Sequence, residues 1–253
     1  MSVTIKQVYD WIDSLAPFAG AEEWDNVGIL AGSAGQTVEK VLCALDFNAF
    51  VLDEAINMGA QLIVTHHPIL FSGRKNMRED DAEGKLICRL IRSNIGLIAA
   101  HTNFDNANPG VNDVLAEKLG LSDVEVLDCG MRIGIARQEK LADFADMAEK
   151  ALGGPVRRYG EADRSISKIA VLGGAGGSFA DIARKAGADV YLTGEISHHR
   201  AWDAYSEGLC CLEAGHAATE MPAVKMLASA LQKMANDVQC NVQFCASEAE
   251  LFR

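Results

Sequence analysis

The chain has 253 residues, 49% of them hydrophobic and 23% charged, enough for one large or two ordinary domains with a real core. Its 23 Lys+Arg against 35 Asp+Glu give a formal net charge of -12, which disfavours binding to a nucleic-acid backbone, where affinity comes from Lys and Arg. Seven cysteines without a C-x-x-C, several of them inside apolar runs as small core residues would be, read as a reducing, cytoplasmic compartment, and neither a signal peptide nor a bilayer-spanning apolar stretch is expected.

Ser2 to Ala16 predicts an amphipathic helix, with Ile5, Val8, Ile12 and Leu15 on one stripe and a Thr4/Gln7 capping box. The turn Glu23-Trp24-Asp25-Asn26 follows, and Trp24 is expected to anchor the core. From Val38 the pattern is α/β. Val41 to Leu45 predicts a strand, Phe50 to Met58 a helix stopped by Gly59, and Leu62 to Thr65 a buried strand. The charged stretch Arg74 to Glu83 predicts a loop or lid, Lys85 to Ser93 a helix, Ile95 to Ala100 a strand, and Val111 to Leu119 a helix. Lys140 to Leu152 predicts a helix closed by Gly153.

A repeat runs through this pattern. Asp53, Ala55, Gly59, Ala60 and Thr65 recur as Asp181, Ala183, Gly187, Ala188 and Thr193 at one constant offset of 128. Gly96-Leu97 matches Gly208-Leu209, and His101-x-x-x-Asp105 matches His216-x-x-x-Glu220, at shorter offsets. The fold class expected is therefore α/β, with two lobes related by duplication, each a mostly parallel sheet flanked by helices. Residues 1–125 form the first lobe and 126–253 the second. The helix Ala223 to Met234 and the strand Val238 to Phe244 can add to either lobe.

All six histidines fall at predicted strand ends or just beyond them, where α/β sheets bind ligands. His66 and His67 end the strand Leu62 to Thr65. Neighbours inside a strand point opposite ways, so only past its end can both imidazoles converge. His216 and Glu220, four apart, share one side if their segment is helical, and Pro222 fits a first helical turn. Asp105 is either a ligand beside His101 or the cap of the turn to Pro109. Imidazoles and carboxylates in this number suit a two-metal site, which attracts an oxyanion and lowers the pKa of a bound water towards ~7. The turn Gly173-Gly174-Ala175-Gly176-Gly177 is either a tight connector or a phosphate cradle. Glu195, His198 and His199 either stand behind the ligand residues, face the substrate or form a polar rim.

On Trp24-Asp25-Asn26-Val27-Gly28, Thr65-His66-His67-Pro68, His101-Thr102-x-x-Asp105, Gly173-Gly174-Ala175-Gly176, Thr193-Gly194-Glu195-Ile196 and Gly215-His216-x-x-Thr219-Glu220, the sequence resembles the Nif-three-like family. Its members are also called dinuclear metal-centre hexameric proteins or GTP cyclohydrolase I type 2 homologues, and this chain resembles their short form. The resemblance implies two divalent metal ions per chain (Zn, Mn, Fe, Co or Ni). His67 and Asp105 would serve one, His66 and His216 the other, and Glu220 would bridge them. His101 stays behind the ligands, where it or His199 could handle protons. Also implied are a homohexamer with an inner cavity and an anionic small-molecule substrate. The function expected is metal-dependent hydrolysis of a small phosphorylated or nucleotide-like compound, with GTP ring-opening as a specific case. The alternative is a non-enzymatic metal-holding or scaffold protein.

Overall fold

A computed structural model of the chain describes residues 2–247. The chain divides into two compact units. Among the described residues, one takes those up to Ala107 together with 224–247, and the other takes Asn108–Ala223.

The first unit is built on a five-stranded sheet in the order Gln243–Ala246, Lys40–Ala44, Leu62–Thr65, Gly96–Ala99, Gly28–Ala31. The first four run parallel and the last is antiparallel to its neighbour. The central strands are buried on both faces, as their unbroken apolar runs require. Leu42, Ile63 and Leu97 pack against Val51 and Leu52 of the helix Ala49–Met58 and Leu90 of the helix Ala82–Arg92. Asn48 caps the first of these helices and Gly59, at φ 71°, ends it. The N-terminal helix is Ile5–Leu15, closed by the expected Thr4/Gln7 capping box.

The second unit has a six-stranded mixed sheet. Its centre is the parallel set Lys168–Leu172, Val190–Thr193, Cys210–Glu213. The antiparallel strands Arg132–Ile135 and Arg157–Tyr159 flank this set, with Ser122–Val126 beyond. Alternate residues feed opposite layers. Ile169 and Val171 join Phe144 and Leu115 on one face, while Ala170 and Leu172 join Met131 and Tyr191 on the other. The three flanking strands were not foreseen from sequence. They are short, and two of them are rich in charge and largely exposed.

The two central sheets share more than an outline. Gln61 Oε1 accepts from the backbone N–H groups of Glu39 and Lys40, and Asp189 Oδ2 accepts from those of Ser167 and Lys168. Lys40 Nζ donates to the Met58 carbonyl and Lys168 Nζ to that of Ala186. Every one of these pairs keeps the 128-residue spacing. In the third strand the glycine match misleads. Leu62 pairs with Gly96 and Val190 with Cys210, so the spacing there is 114, not 112. Ala100 and Ala214 are the equivalent residues, each donating to a threonine carbonyl, Thr65 or Thr193. His101 therefore corresponds to Gly215, and His216 sits one residue further along.

The C-terminal elements also differ from expectation. One helix runs His216–Asp237 with Pro222 inside it, not at its first turn. The proline lacks an N–H for the Ala218 carbonyl, but the turn before it is already fastened by the Thr219 hydroxyl, which donates to the Gly215 and His216 carbonyls. The last described strand is Gln243–Ala246, not Val238 to Phe244, and it pairs with Lys40–Ala44. Among the described residues, no helix is long and apolar enough to cross a membrane.

Candidate metal centre

The strand Leu62–Thr65 ends where the sequence stops being apolar. His66 and His67 continue past it, their N–H groups held by the carbonyls of Ala44 and Leu45. The Thr65 hydroxyl donates to the His67 carbonyl at 2.9 Å and tightens the turn. The two imidazoles thereby face one region, with ring centroids 5.0 Å apart. His101, at the end of the neighbouring strand, brings a third ring to within 5.1 Å of His66 and 5.4 Å of His67. Each of the three offers a ring nitrogen within 4.8 Å of the others. Asp105 lies on the single turn Thr102–Asp105, with Oδ1 3.6 Å from His66 Nε2.

The outer hydrogen bonds fix which nitrogen faces inward. His66 Nδ1 is 2.9 Å from the Ala100 carbonyl, which can only accept, so Nδ1 carries a proton and the lone pair of the neutral ring is on Nε2. His67 Nδ1 donates to Asp46 Oδ1 at 2.8 Å. His101 Nδ1 donates to both carboxylate oxygens of Asp25 at 3.0 Å. Asp25 also accepts from the Thr102 backbone N–H and hydroxyl. Burial works to raise the Asp25 pKa, but the bonds from Thr102 and His101 together hold it below the usual carboxylate value. Three lone pairs on Nε2, each backed by an acceptor on Nδ1, is the outer arrangement metal-ligating histidines use.

The second unit carries its own pair. His216 begins its helix and Glu220 follows one turn later, so both lie on one side, with Nε2 3.1 Å from Glu220 Oε2. His216 Nδ1 donates to Glu195 Oε1 at 2.9 Å. Its Nε2 lone pair then meets a carboxylate oxygen, two acceptors in contact, which is favourable only with a cation or proton between them. The chemistry of this donor set fits a divalent metal.

The glycine-rich turn backs this pair. Gly173 N–H donates to Asn112, Gly174 to the Thr219 hydroxyl, Gly176 to the Thr193 hydroxyl and Gly177 to the Glu195 carbonyl. These groups are used inside the protein, so the turn is a connector and not a phosphate cradle. Gly174 sits at φ 65°, and a Cβ there would meet Glu220 Oε1 at 2.2 Å. The glycine makes room for the carboxylate.

His198 and His199 begin the helix His198–Ser206 and are exposed. His199 contacts Ser197 at 3.4 Å. Trp24 is not a core residue: it is 61% exposed and stands edge-on to His101. Asp25 and Asp46, which orient His101 and His67, were missed as site residues. Asp25 was visible inside the Trp24-Asp25-Asn26 motif. Asp46 follows the strand beside the histidine pair but lies 21 residues from its partner.

An α/β protein whose histidines hold Nδ1 to an acceptor and turn Nε2 inward has groups that could hold a metal ion. Residues 3–251 match the Duf34/NIF3 (NGG1p interacting factor 3) family, and the chain belongs to that family. A relative from Streptomyces coelicolor, named GTP cyclohydrolase 1 type 2 homolog, is 35% identical over 247 residues, covering 92% of this chain and 87% of its own. One of the same name from Clostridium acetobutylicum is 33% identical over 249 residues, covering 92% and 93%. A solved structure described as a Bacillus cereus protein related to NIF3 superposes with a TM-score of 0.93 at 26% identity, over 98% of each chain.

Proposed function

We propose that the protein is a metal-dependent hydrolase with a dinuclear site, acting on a small phosphorylated or nucleotide-like substrate. His66, His67, Asp105, His216 and Glu220 would hold two divalent ions (Zn, Mn, Fe, Co or Ni). His101, held by Asp25, moves a proton at its Nε2, and His199 is the second candidate for that role. When bound, the metals would supply Lewis-acid polarisation of an oxyanion and an acidified water. GTP ring-opening is the specific activity that the names of the relatives point to. Assembly as a homohexamer goes with the same reading.

The observation that carries this reading is that His66, His67, His101 and His216 each have Nδ1 engaged by an oxygen acceptor, which leaves Nε2 for a ligand. Histidines that merely cap or decorate a rim need no such shared pattern of partners. Nucleotides, GTP first, and phosphoesters incubated with protein loaded with each ion in turn test it. At least one should be turned over, and His67→Ala should abolish that turnover. Turnover that survives His67→Ala contradicts the enzyme reading. Tight metal binding without any turnover would favour the metal-holding or scaffold alternative.

A further inference from the structure

Two large aromatic side chains are left in solvent beside the first unit's histidines. Trp24 is 61% exposed and Phe71 is 51% exposed. Both stand on the same imidazole. Trp24 lies 6.0 Å from the His101 ring at 74°, and Phe71 lies 5.7 Å from it at 85°. Both ring planes thus stand steeply to the His101 plane.

These rings are held in place. Asp25, next to Trp24, accepts from His101 and twice from Thr102. The Glu22 N–H donates to the Thr102 hydroxyl at 2.9 Å. Asn26, two residues from Trp24, donates through Nδ2 to the carbonyl of Leu70, the residue before Phe71, at 2.5 Å. The two aromatic loops are thus tied to each other and to the His101 turn. Exposed apolar surface rimmed by polar residues marks a place where another group rests.

We propose that Trp24 and Phe71 form a stacking clamp for a planar heteroaromatic ring of purine or pterin size, which sets substrate choice beside His101. The inference rests on the hydrolase reading and narrows its substrate class. Aromatic stacking recognises the ring without reading its edge, so the clamp selects ring-bearing over ring-free phosphates, while the metal ligands handle the anionic part. Trp202 is equally exposed, at 61%, but lies on the helix His198–Ser206 of the second unit and serves as a control.

The test compares GMP with ribose 5-phosphate, which share sugar and phosphate and differ by the base. Calorimetric titration of the metal-loaded protein should give GMP the tighter binding. Trp24→Ala and Phe71→Ala should each weaken GMP about 5- to 150-fold and leave ribose 5-phosphate unchanged. Trp24→Phe should restore most of the loss, and Trp202→Ala should cause none. Metal content, measured on the same samples, should be unchanged in the clamp variants. The inference is overturned if GMP binds no better than ribose 5-phosphate, or if Trp24→Ala weakens both equally. It is also overturned if Trp24→Ala changes the sedimentation coefficient but not GMP affinity, since the ring would then be covered by a second copy of the chain. A failed hydrolase reading looks different: no nucleotide or phosphoester would be turned over, or turnover would survive His67→Ala, whatever the GMP result.

Discussion

The same strand end does different work in the two units. At the 128-residue spacing, His66 corresponds to Gly194 and His67 to Glu195. In the first unit this end presents two imidazoles, oriented by Ala100 and Asp46. In the second it presents no imidazole, and Glu195 instead orients His216. The reason is spatial. A Cβ on Gly194 would meet the Gly174 carbonyl at 2.6 Å, His216 Cα at 2.8 Å and Thr219 Oγ1 at 2.9 Å. The helix starting at His216 occupies the space a histidine would need. A shared backbone therefore supports two imidazoles in one unit and an orienting carboxylate in the other.

Gly194→Ala breaks this contrast most severely. Three contacts under 3 Å, two of them to backbone, should cost about 3 kcal/mol, read as a lower midpoint in urea unfolding. Asp25→Ala should come next. It strands the Thr102 N–H and the His101 Nδ1 proton and should cost about 2 kcal/mol. The sign with pH follows from the lowered Asp25 pKa. A depressed carboxylate contributes stability above its unfolded value of about 3.9, and that contribution is lost as pH falls through the lower folded value. The stability gap between the wild type and Asp25→Asn should thus be full at pH 7 and close in acid.

Asp46→Asn and Glu195→Gln sharpen the comparison from either side. Each keeps an acceptor for its histidine but removes the charge behind it, and each should weaken metal binding about tenfold, read by competition with a chromophoric chelator. Equal losses in the two variants would make the orienting carboxylates equivalent despite their different units. The smallest effect belongs to the cores. Burial pushes the thiols of Cys43 and Cys211 up to about 12, so neither should react with DTNB at pH 8 until the protein unfolds.

Much of this was legible in the sequence, for identifiable reasons. Buried parallel strands are written as apolar runs, so Leu62 to Thr65 could be bounded on both sides and its two histidines placed beyond it. The repeat was legible because Gly59 and Gly187 both end helices in the left-handed region. The third-strand spacing was not, since Gly96 lies in its strand while Gly208 precedes one. Pro222 misled about its helix because the Thr219 bonds that hold the preceding turn are tertiary detail. Trp24 misled because large aromatics are usually buried. The orienting carboxylates were hidden by distance along the chain: Asp25 lies 76 residues from His101, and no local pattern links them.

The central claim is the proposed metal centre of His66, His67, Asp105, His216 and Glu220. Elemental analysis of the protein, purified without added metal and then loaded with each ion, tests it most directly when run beside His66→Ala and His216→Ala. The account predicts two divalent ions per chain in the wild type and a loss in each variant, whichever unit carries the change. A wild type that retains no stoichiometric metal with any ion, or a metal content untouched by both substitutions, would contradict it.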